Sequence, residues 1–379
     1  MKSQSEGAPP MRMTVTYRVR ADAASIEARA EAIAVEQSVE TPLAAIADER
    51  VLRDIVGEVR GVRELEPGLF EARIGLAVET AGFEPGQLLA MLFGNASLQE
   101  DVALVDADIP DAMAAGFGGP NFGVAGLRAK CGAGARPLAC TAIKPQGMPP
   151  AALAELAGRL AAGGVDYLKD DHGLADQAYS PFADRVRAVA EAVRRARAET
   201  GSRTLYVPSV TGSAGAAAAQ IALAIEEGVE AVMVEPMILG VSNFHRLVKT
   251  FPGVAFFAHP ALAGASRIAP PLLLGKLFRL FGADATIYPN YGGRFAYTPE
   301  TCKAVAGAAR APWLGLKPCM PCPAGGMALS RVPEILDFYG PDAMLLIGGS
   351  LLSARDRLTE ETAAFARRVA AYFEGKSDG

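Results

Sequence analysis

The sequence predicts an α/β protein in two parts: an N-terminal ferredoxin-like α+β domain over residues 1–130 and a C-terminal (β/α)8 TIM barrel over 131–379. Three observations carry this. The chain has 379 residues, half of them hydrophobic, so it can bury a large core and by length holds about two domains. Its first third mixes alternating runs with short helical ones. From residue 137 onward, short apolar runs and amphipathic helical stretches follow one another in a steady rhythm.

In the first part, RMTVTYRVR (12–20) alternates like a strand and residues 24–36 carry helical periodicity. Two further alternating runs, VLRDIVGEVRGV and GLFEARIGLAV, flank the turn-like ELEPG. A short helix, PGQLLAMLFGN, and a strand signal, DVALVDADI, complete a β-α-β-β-α-β order, that of a ferredoxin-like sandwich. In the second part the strand runs are PLACTAIKP, GVDYLKDD, TLYVPSV, EAVMVEP, VAFFAHP, ATIYPN, WLGLKP and AMLLIGG. Helices are clear in AALAELAGRLAAG, FADRVRAVAEAVRRARAET and AAAAQIALAIEEG. Eight such units over roughly 240 residues match a TIM barrel. The Gly-rich phosphate loop that commonly opens a doubly wound sheet is missing.

A net charge of −5 leaves no basic stripe for nucleic acid. The opening MKSQSEGAPPMRMTV has no apolar signal region, and no apolar stretch approaches the roughly 20 residues of a spanning helix, so a cytoplasmic protein free of the membrane is expected. Five cysteines in this length are not a disulfide framework. Cys319 and Cys322 form a CxxC, but prolines interrupt it and no second pair is evident, so they read as small apolar residues at a strand end.

Barrel enzymes work at the C-terminal ends of their strands. The polar residues closing each run are therefore candidates: Lys144, Lys169, Asp170, Asp171, His172, Glu235, His259, Tyr288, Asn290, Lys317 and the pairs Gly325–Gly326 and Gly348–Gly349. KDDH is the densest cluster. Strand alternation puts Lys169 and Asp171 on one face and Asp170 on the other, with His172 joining as the loop turns. Acidic groups beside a histidine suit a divalent metal, and a lysine carbamylated by CO2 would act as a long carboxylate. A lysine–aspartate bridge closing the barrel is the plain alternative. The glycine pairs let backbone N–H groups approach an anion, as in phosphate sites after strands 7–8, or they are simple turns.

The order GPNFGVAGLRAKCGAGARPLACTAIKP, GGVDYLKDDH and the paired glycines, with AVEQSVETP and FGN upstream, resembles the large-subunit family of ribulose-bisphosphate carboxylase, and in particular its RuBisCO-like members. The resemblance covers nearly the whole chain. It implies that Lys169 is carbamylated and, with Asp171 and His172, holds Mg²⁺, with Mn²⁺ as a substitute. It implies that Lys144 is an acid or base at the enolised carbon, that His259 lies near the substrate, and that Gly325, Gly326, Gly348, Gly349 and Thr41 serve a phosphate. Glu36 and Asn95 would reach a neighbouring subunit's site, as would Thr41, in a homodimer with shared active sites.

The departures matter as much. The family's second lysine is Gln146, its phosphate-gripping arginine is Pro260, and a histidine beyond it is Ala263. Tyr288 replaces another histidine and Ala324 a serine, and YPNYGGRF lacks the mobile-loop lysine, Arg294 being the nearest cation. The third metal carboxylate is His172. One phosphate site remains and the other is gone, which implies a monophosphorylated substrate and no CO2 fixation. The expected function is a metal-dependent enzyme forming an enediolate from a monophosphorylated keto sugar or 3-keto sugar acid. The decarboxylase or transcarboxylase/hydrolase branch of carbohydrate catabolism is preferred, since loss of CO2 yields the enediolate without a strong base. The alternatives are a phosphoketose enolase or isomerase of methionine salvage, and a non-catalytic ligand-binding dimer.

Overall fold

In the computed structural model, residues 10–313 and 315–372 are described; the rest of the opening segment, Leu314 and the C-terminal tail lie outside them. The chain forms two compact units. One runs to Gly118 and includes Gly264–Leu273; the other comprises Gly119–Ala263 and the chain from Leu274.

The first unit holds strands β1 (Arg12–Arg20), β2 (Glu58–Glu66), β3 (Leu69–Ala77) and β4 (Val102–Asp108). They pair antiparallel in the order β2-β3-β1-β4, the ferredoxin-like arrangement. Alternation in β1 buries Met13, Val15, Tyr17 and Val19 completely. Helices Ile26–Glu36 and Pro85–Phe93 fall where their periodicity puts them. The run VLRDIVGEVRGV is not one strand. Its start, Val51–Ile55, coils into a π-helical turn, because pairing begins at Glu58↔Gly75 and β3 ends two residues later, at Ala77.

The second unit is the barrel: β5 (Leu138–Ile143), β6 (Tyr167–Asp170), β7 (Leu205–Val207), β8 (Ser209–Val210), β9 (Ala231–Val234), β10 (Ala255–Ala258), β11 (Ala285–Pro289), β12 (Met320–Ala324) and β13 (Met344–Leu346). The pairing is parallel in the order β7-β6-β5-β13-β12-β11-β10-β9-β8. Only Pro208 separates β7 from β8, so these nine segments are eight strands and the ring closes. Alternate residues such as Leu138, Cys140, Tyr167, Met233, Phe257 and Cys322 fill the interior. Helix Gly123–Cys131 packs Val124, Leu127 and Cys131 into that same cluster. The boundary expected at residue 130 falls inside this helix, which belongs to the barrel unit because those side chains fill it from below.

The seventh strand is MPCPA, and the expected WLGLKP, which contains the undescribed Leu314, precedes it. Prolines argue against a central strand, since they cannot donate to the ladder. Here Met320 donates its N–H to Asp284 O at 2.8 Å, on the β11 side. Pro321 and Pro323 therefore face β13, where pairing is confined to Ala324↔Leu346. All five cysteines are free and buried, Cys319 and Cys322 included. Among the described residues, no helix is long and apolar enough to cross a membrane.

Candidate active site

Lys144 follows β5, Lys169–His172 close β6, Glu235 follows β9 and His259 follows β10. All therefore stand at the C-terminal ends of barrel strands. Their side chains converge on Asp171. Its Oδ2 lies 3.3 Å from Lys144 Nζ, and its Oδ1 lies 2.9 Å from His172 Nδ1. Burial opposes ionisation of Asp171, but the His172 hydrogen bond and the charges of Lys144 and Lys169 outweigh it and hold the carboxyl well below its usual range.

Lys169 is 3% exposed and points into the barrel, its Nζ donating to the carbonyl of Asp170 at 2.8 Å. Burial lowers its pKa and favours the neutral amine, with the Lys144 charge acting in the same direction. The parity read from the sequence holds. Asp170 faces outward, where Arg185 Nε and Tyr206 OH donate to it at 3.1 and 2.7 Å.

His172 and His259 stack, with ring centroids 4.4 Å apart and planes 11° from parallel. Burial drives the His259 pKa far down, so the ring is neutral. The Ala261 N–H donates to its Nδ1 at 3.2 Å, which leaves the ring proton on Nε2. Glu235 Oε1 is 3.6 Å from the same Nδ1, too far for a hydrogen bond, and burial raises its carboxyl pKa. A neutral imidazole, a carboxyl poised toward protonation and a lysine thus surround one ionised carboxylate. Such a set can remove and return protons.

The glycine pairs follow the adjacent strands β12 and β13. Gly325 and Gly326 adopt φ of +80° and +64°, and a Cβ on Gly326 would sit 2.3 Å from Gly293 Cα in the preceding strand's loop. Side-chain-free backbone is thereby exposed at the strand end, as an anion requires. Gln146 lies over Gly173, where any Cβ would strike its amide, so Gln146 borders the KDDH loop.

Three further candidates are placed elsewhere. Lys317 precedes β12, at the other end of the barrel, where its Nζ donates to Asn121 O. Tyr288 shares outward parity with Thr286, whose hydroxyl bonds Leu274 O, and it packs edge-on against Tyr339 at 6.2 Å. Asn290 is buried and accepts from Tyr339 OH at 2.6 Å. In the first unit Asn95 Nδ2 donates to Glu36 Oε1 at 2.8 Å, so these two candidates are brought together, with Thr41 half-buried in the segment that follows the Glu36 helix.

Arg185 and Tyr206 were not singled out by the sequence argument. A signal existed for the first: Arg185 sits on the apolar stripe of helix Phe182–Thr200, beside Val186 and Val189, where an unpaired guanidinium would be costly.

Residues 123–377 match the catalytic domain of the ribulose bisphosphate carboxylase large chain. A 5-methylthioribulose-1-phosphate isomerase of Rhodospirillum rubrum is 58% identical over 360 residues, 95% of this chain and 96% of that one. A 2,3-diketo-5-methylthiopentyl-1-phosphate enolase of Geobacillus thermodenitrificans is 32% identical over 94% of this chain and 91% of its own. The crystal structure of a RuBisCO-like protein from Rhodopseudomonas palustris superposes with a TM-score of 0.90 at 55% identity, covering 96% of this chain and 99% of that one. The barrel, the KDDH strand end and this likeness along the whole length agree: the chain belongs to the ribulose bisphosphate carboxylase large-chain family, among its RuBisCO-like proteins.

Proposed function

We propose that this protein is an isomerase of a methylthio-substituted ketose 1-phosphate, 5-methylthioribulose 1-phosphate being the substrate that its 58% identical relative suggests. The observation that carries this is the ring of proton-moving groups around Asp171: Lys144 at 3.3 Å, His172 at 2.9 Å, and the Glu235–His259 pair beside them. Gln146 in place of a lysine favours the decarboxylase branch only if no other base is at hand. With several bases at the strand ends, that reason loses its force, and the isomerase alternative takes precedence.

In an isomerisation, a proton leaves a hydroxyl-bearing carbon flanking the carbonyl and the carbonyl oxygen gains one, giving the enediol; that flanking hydroxyl then loses its proton to become the new carbonyl while the former carbonyl carbon is reprotonated. Nothing is gained or lost overall. Lys144 is assigned the transfer at carbon. His259, with its proton on Nε2, donates a hydrogen bond to a substrate oxygen. Gly325, Gly326, Gly348 and Gly349 receive the single phosphate through backbone N–H groups.

A divalent cation would fit here once Lys169 carries a carbamate. Among the described residues no three His, Cys, Asp or Glu side chains form a ready-made metal cluster. Lys169 would complete the set, since its buried amine is driven toward the neutral form that reacts with CO2. Lys169 as a carbamate, Asp171 and His172 would then hold Mg²⁺, with Mn²⁺ favoured by the imidazole. Such an ion supplies Lewis-acid polarisation of the carbonyl when bound. Glu36, Thr41 and Asn95 are assigned to a partner subunit's site in a homodimer.

The test is a substrate panel with the purified protein and Mg²⁺ or Mn²⁺, read by ³¹P NMR. The expected result is conversion of 5-methylthioribulose 1-phosphate to an isomer with the phosphate retained. Turnover of 2,3-diketo-5-methylthiopentyl 1-phosphate instead would favour the enolase. CO2 release from a phosphorylated 3-keto acid would restore the decarboxylase.

A further inference from the structure

Asp170 stands between Lys169 and Asp171, yet the proton transfers above make no use of it. Its carboxylate is fully buried and is held by three donors from other elements. These are Arg185 Nε at 3.1 Å, Tyr206 OH at 2.7 Å and the backbone N–H of Ser209 at 3.0 Å. Arg185 is itself 0% exposed and is tied through Nη1 to the Ser180 carbonyl at 2.9 Å.

The third donor is out of register for an ordinary ladder. On the β6–β7 side, Leu205 N–H donates to Asp166 O at 2.9 Å. Parallel strands advance two residues at a time, so the same ladder would give Ser209 N–H to Asp170 O. Pro208 breaks the strand at that point, and the paired register of β6 with β7 ends at Lys169↔Val207. Ser209 N–H goes instead to the Asp170 carboxylate, and the Asp170 carbonyl accepts Lys169 Nζ at 2.8 Å.

We propose that Asp170 exchanges acceptors: its side chain, clamped from outside by Arg185 and Tyr206, takes over the ladder bond of its own carbonyl, and the freed carbonyl fixes the amine of Lys169. The clamp also anchors the strand at the point where backbone pairing stops, one residue before Asp171. Asp170, Arg185 and Tyr206 are therefore positioning residues for the isomerase site. The kinetic part of the test rests on the isomerase reading, and the structural part does not.

Asp170→Asn leaves a buried guanidinium without its counter-charge and can fail to fold. Two gentler variants keep the idea testable. Tyr206→Phe removes one hydrogen bond and keeps the ion pair. The double change Asp170→Asn with Arg185→Met removes both charges. Groups that orient a site from behind commonly contribute about 10–100-fold in activity or ligand affinity. In Tyr206→Phe, kcat should fall about tenfold with KM unchanged, and in the double variant the loss should approach about 100-fold. Hydrogen exchange at the amides of residues 169–172 should speed up by about tenfold or more in both, with the remaining barrel strands as in wild type. Wild-type kcat and wild-type exchange at 169–172 in folded variants would overturn the proposal. So would a rate loss that tracks a global fall in Tm with no local change in exchange. If the wild-type protein does not turn over 5-methylthioribulose 1-phosphate, the functional reading fails, and exchange at 169–172 alone decides the clamp.

Discussion

Replacing Asp284 by asparagine should flatten the pH dependence of stability between about pH 4 and pH 6. Asp284 is fully buried before β11 and accepts the backbone N–H groups of Phe122, Gly123 and Phe256 at 2.6, 2.8 and 2.8 Å. It thereby holds the start of helix Gly123–Cys131 to the barrel. Burial raises its carboxyl from 3.8 to about 6, and the three N–H donors only partly offset this. A carboxyl with a raised folded pKa binds its proton more tightly in the native state. Its stabilising contribution is therefore complete below pH 4 or so and is lost as pH rises through about 6. A shift of about two units corresponds to about 3 kcal/mol. Asparagine cannot titrate and offers one acceptor oxygen in place of two, so its absolute stability also changes, by about 1–3 kcal/mol for a donor left unmet. The quantity to measure is the wild-type minus variant difference in unfolding free energy, from urea titrations at pH 4 and pH 7. It should be larger at pH 4 by about 3 kcal/mol. Parallel curves would show that Asp284 does not titrate with a raised folded pKa, because other carboxylates, including Asp171 with its opposite shift, cancel in the difference.

Three further outcomes follow from the site. Lys169→Met should retain the fold while reducing kcat by about 10²–10³-fold, checked by circular dichroism alongside steady-state kinetics. Gly326→Ala forces a side chain into φ +64° against Gly293, and it should lower Tm and raise KM for the phosphorylated substrate by about tenfold, checked by thermal melts and initial rates. Ribulose 1,5-bisphosphate should not be carboxylated: the family resemblance implies charged or hydrogen-bonding groups where Gln146, Pro260 and Ala263 stand, and such groups are each worth on the order of 3 kcal/mol in transition-state electrostatics; ¹⁴CO2 incorporation should match the enzyme-free blank.

Much of this architecture is legible in the sequence, because burial enforces period. RMTVTYRVR became β1 residue for residue, and the two-residue alternation correctly separated Lys169 and Asp171 from Asp170. MPCPA was missed because prolines disguise a strand whose donors are needed on one side only. The partners of Asp170 were invisible for another reason. Arg185 and Tyr206 come from a different helix and strand, and nothing local says that they meet. The stacking of His172 on His259 and the tautomer fixed by Ala261 likewise arise only when two strand ends are brought side by side. The branch of chemistry was the least legible feature. The resemblance implies a lysine where Gln146 stands, and its absence favours decarboxylation, whereas the folded site gathers other groups able to move protons.

Movement of a proton between neighbouring carbons of a ketose phosphate by these groups leaves an isotopic trace in D2O. The purified protein is incubated with 5-methylthioribulose 1-phosphate and a divalent cation, and the product is followed by ¹H and ³¹P NMR. The expected product is an isomeric ketose phosphate of unchanged mass apart from deuterium acquired at the reprotonated carbon, with Lys144→Met failing to form it. A wild-type protein that leaves the substrate intact and exchanges no carbon-bound hydrogen, or that releases phosphate or CO2, would contradict the isomerase reading.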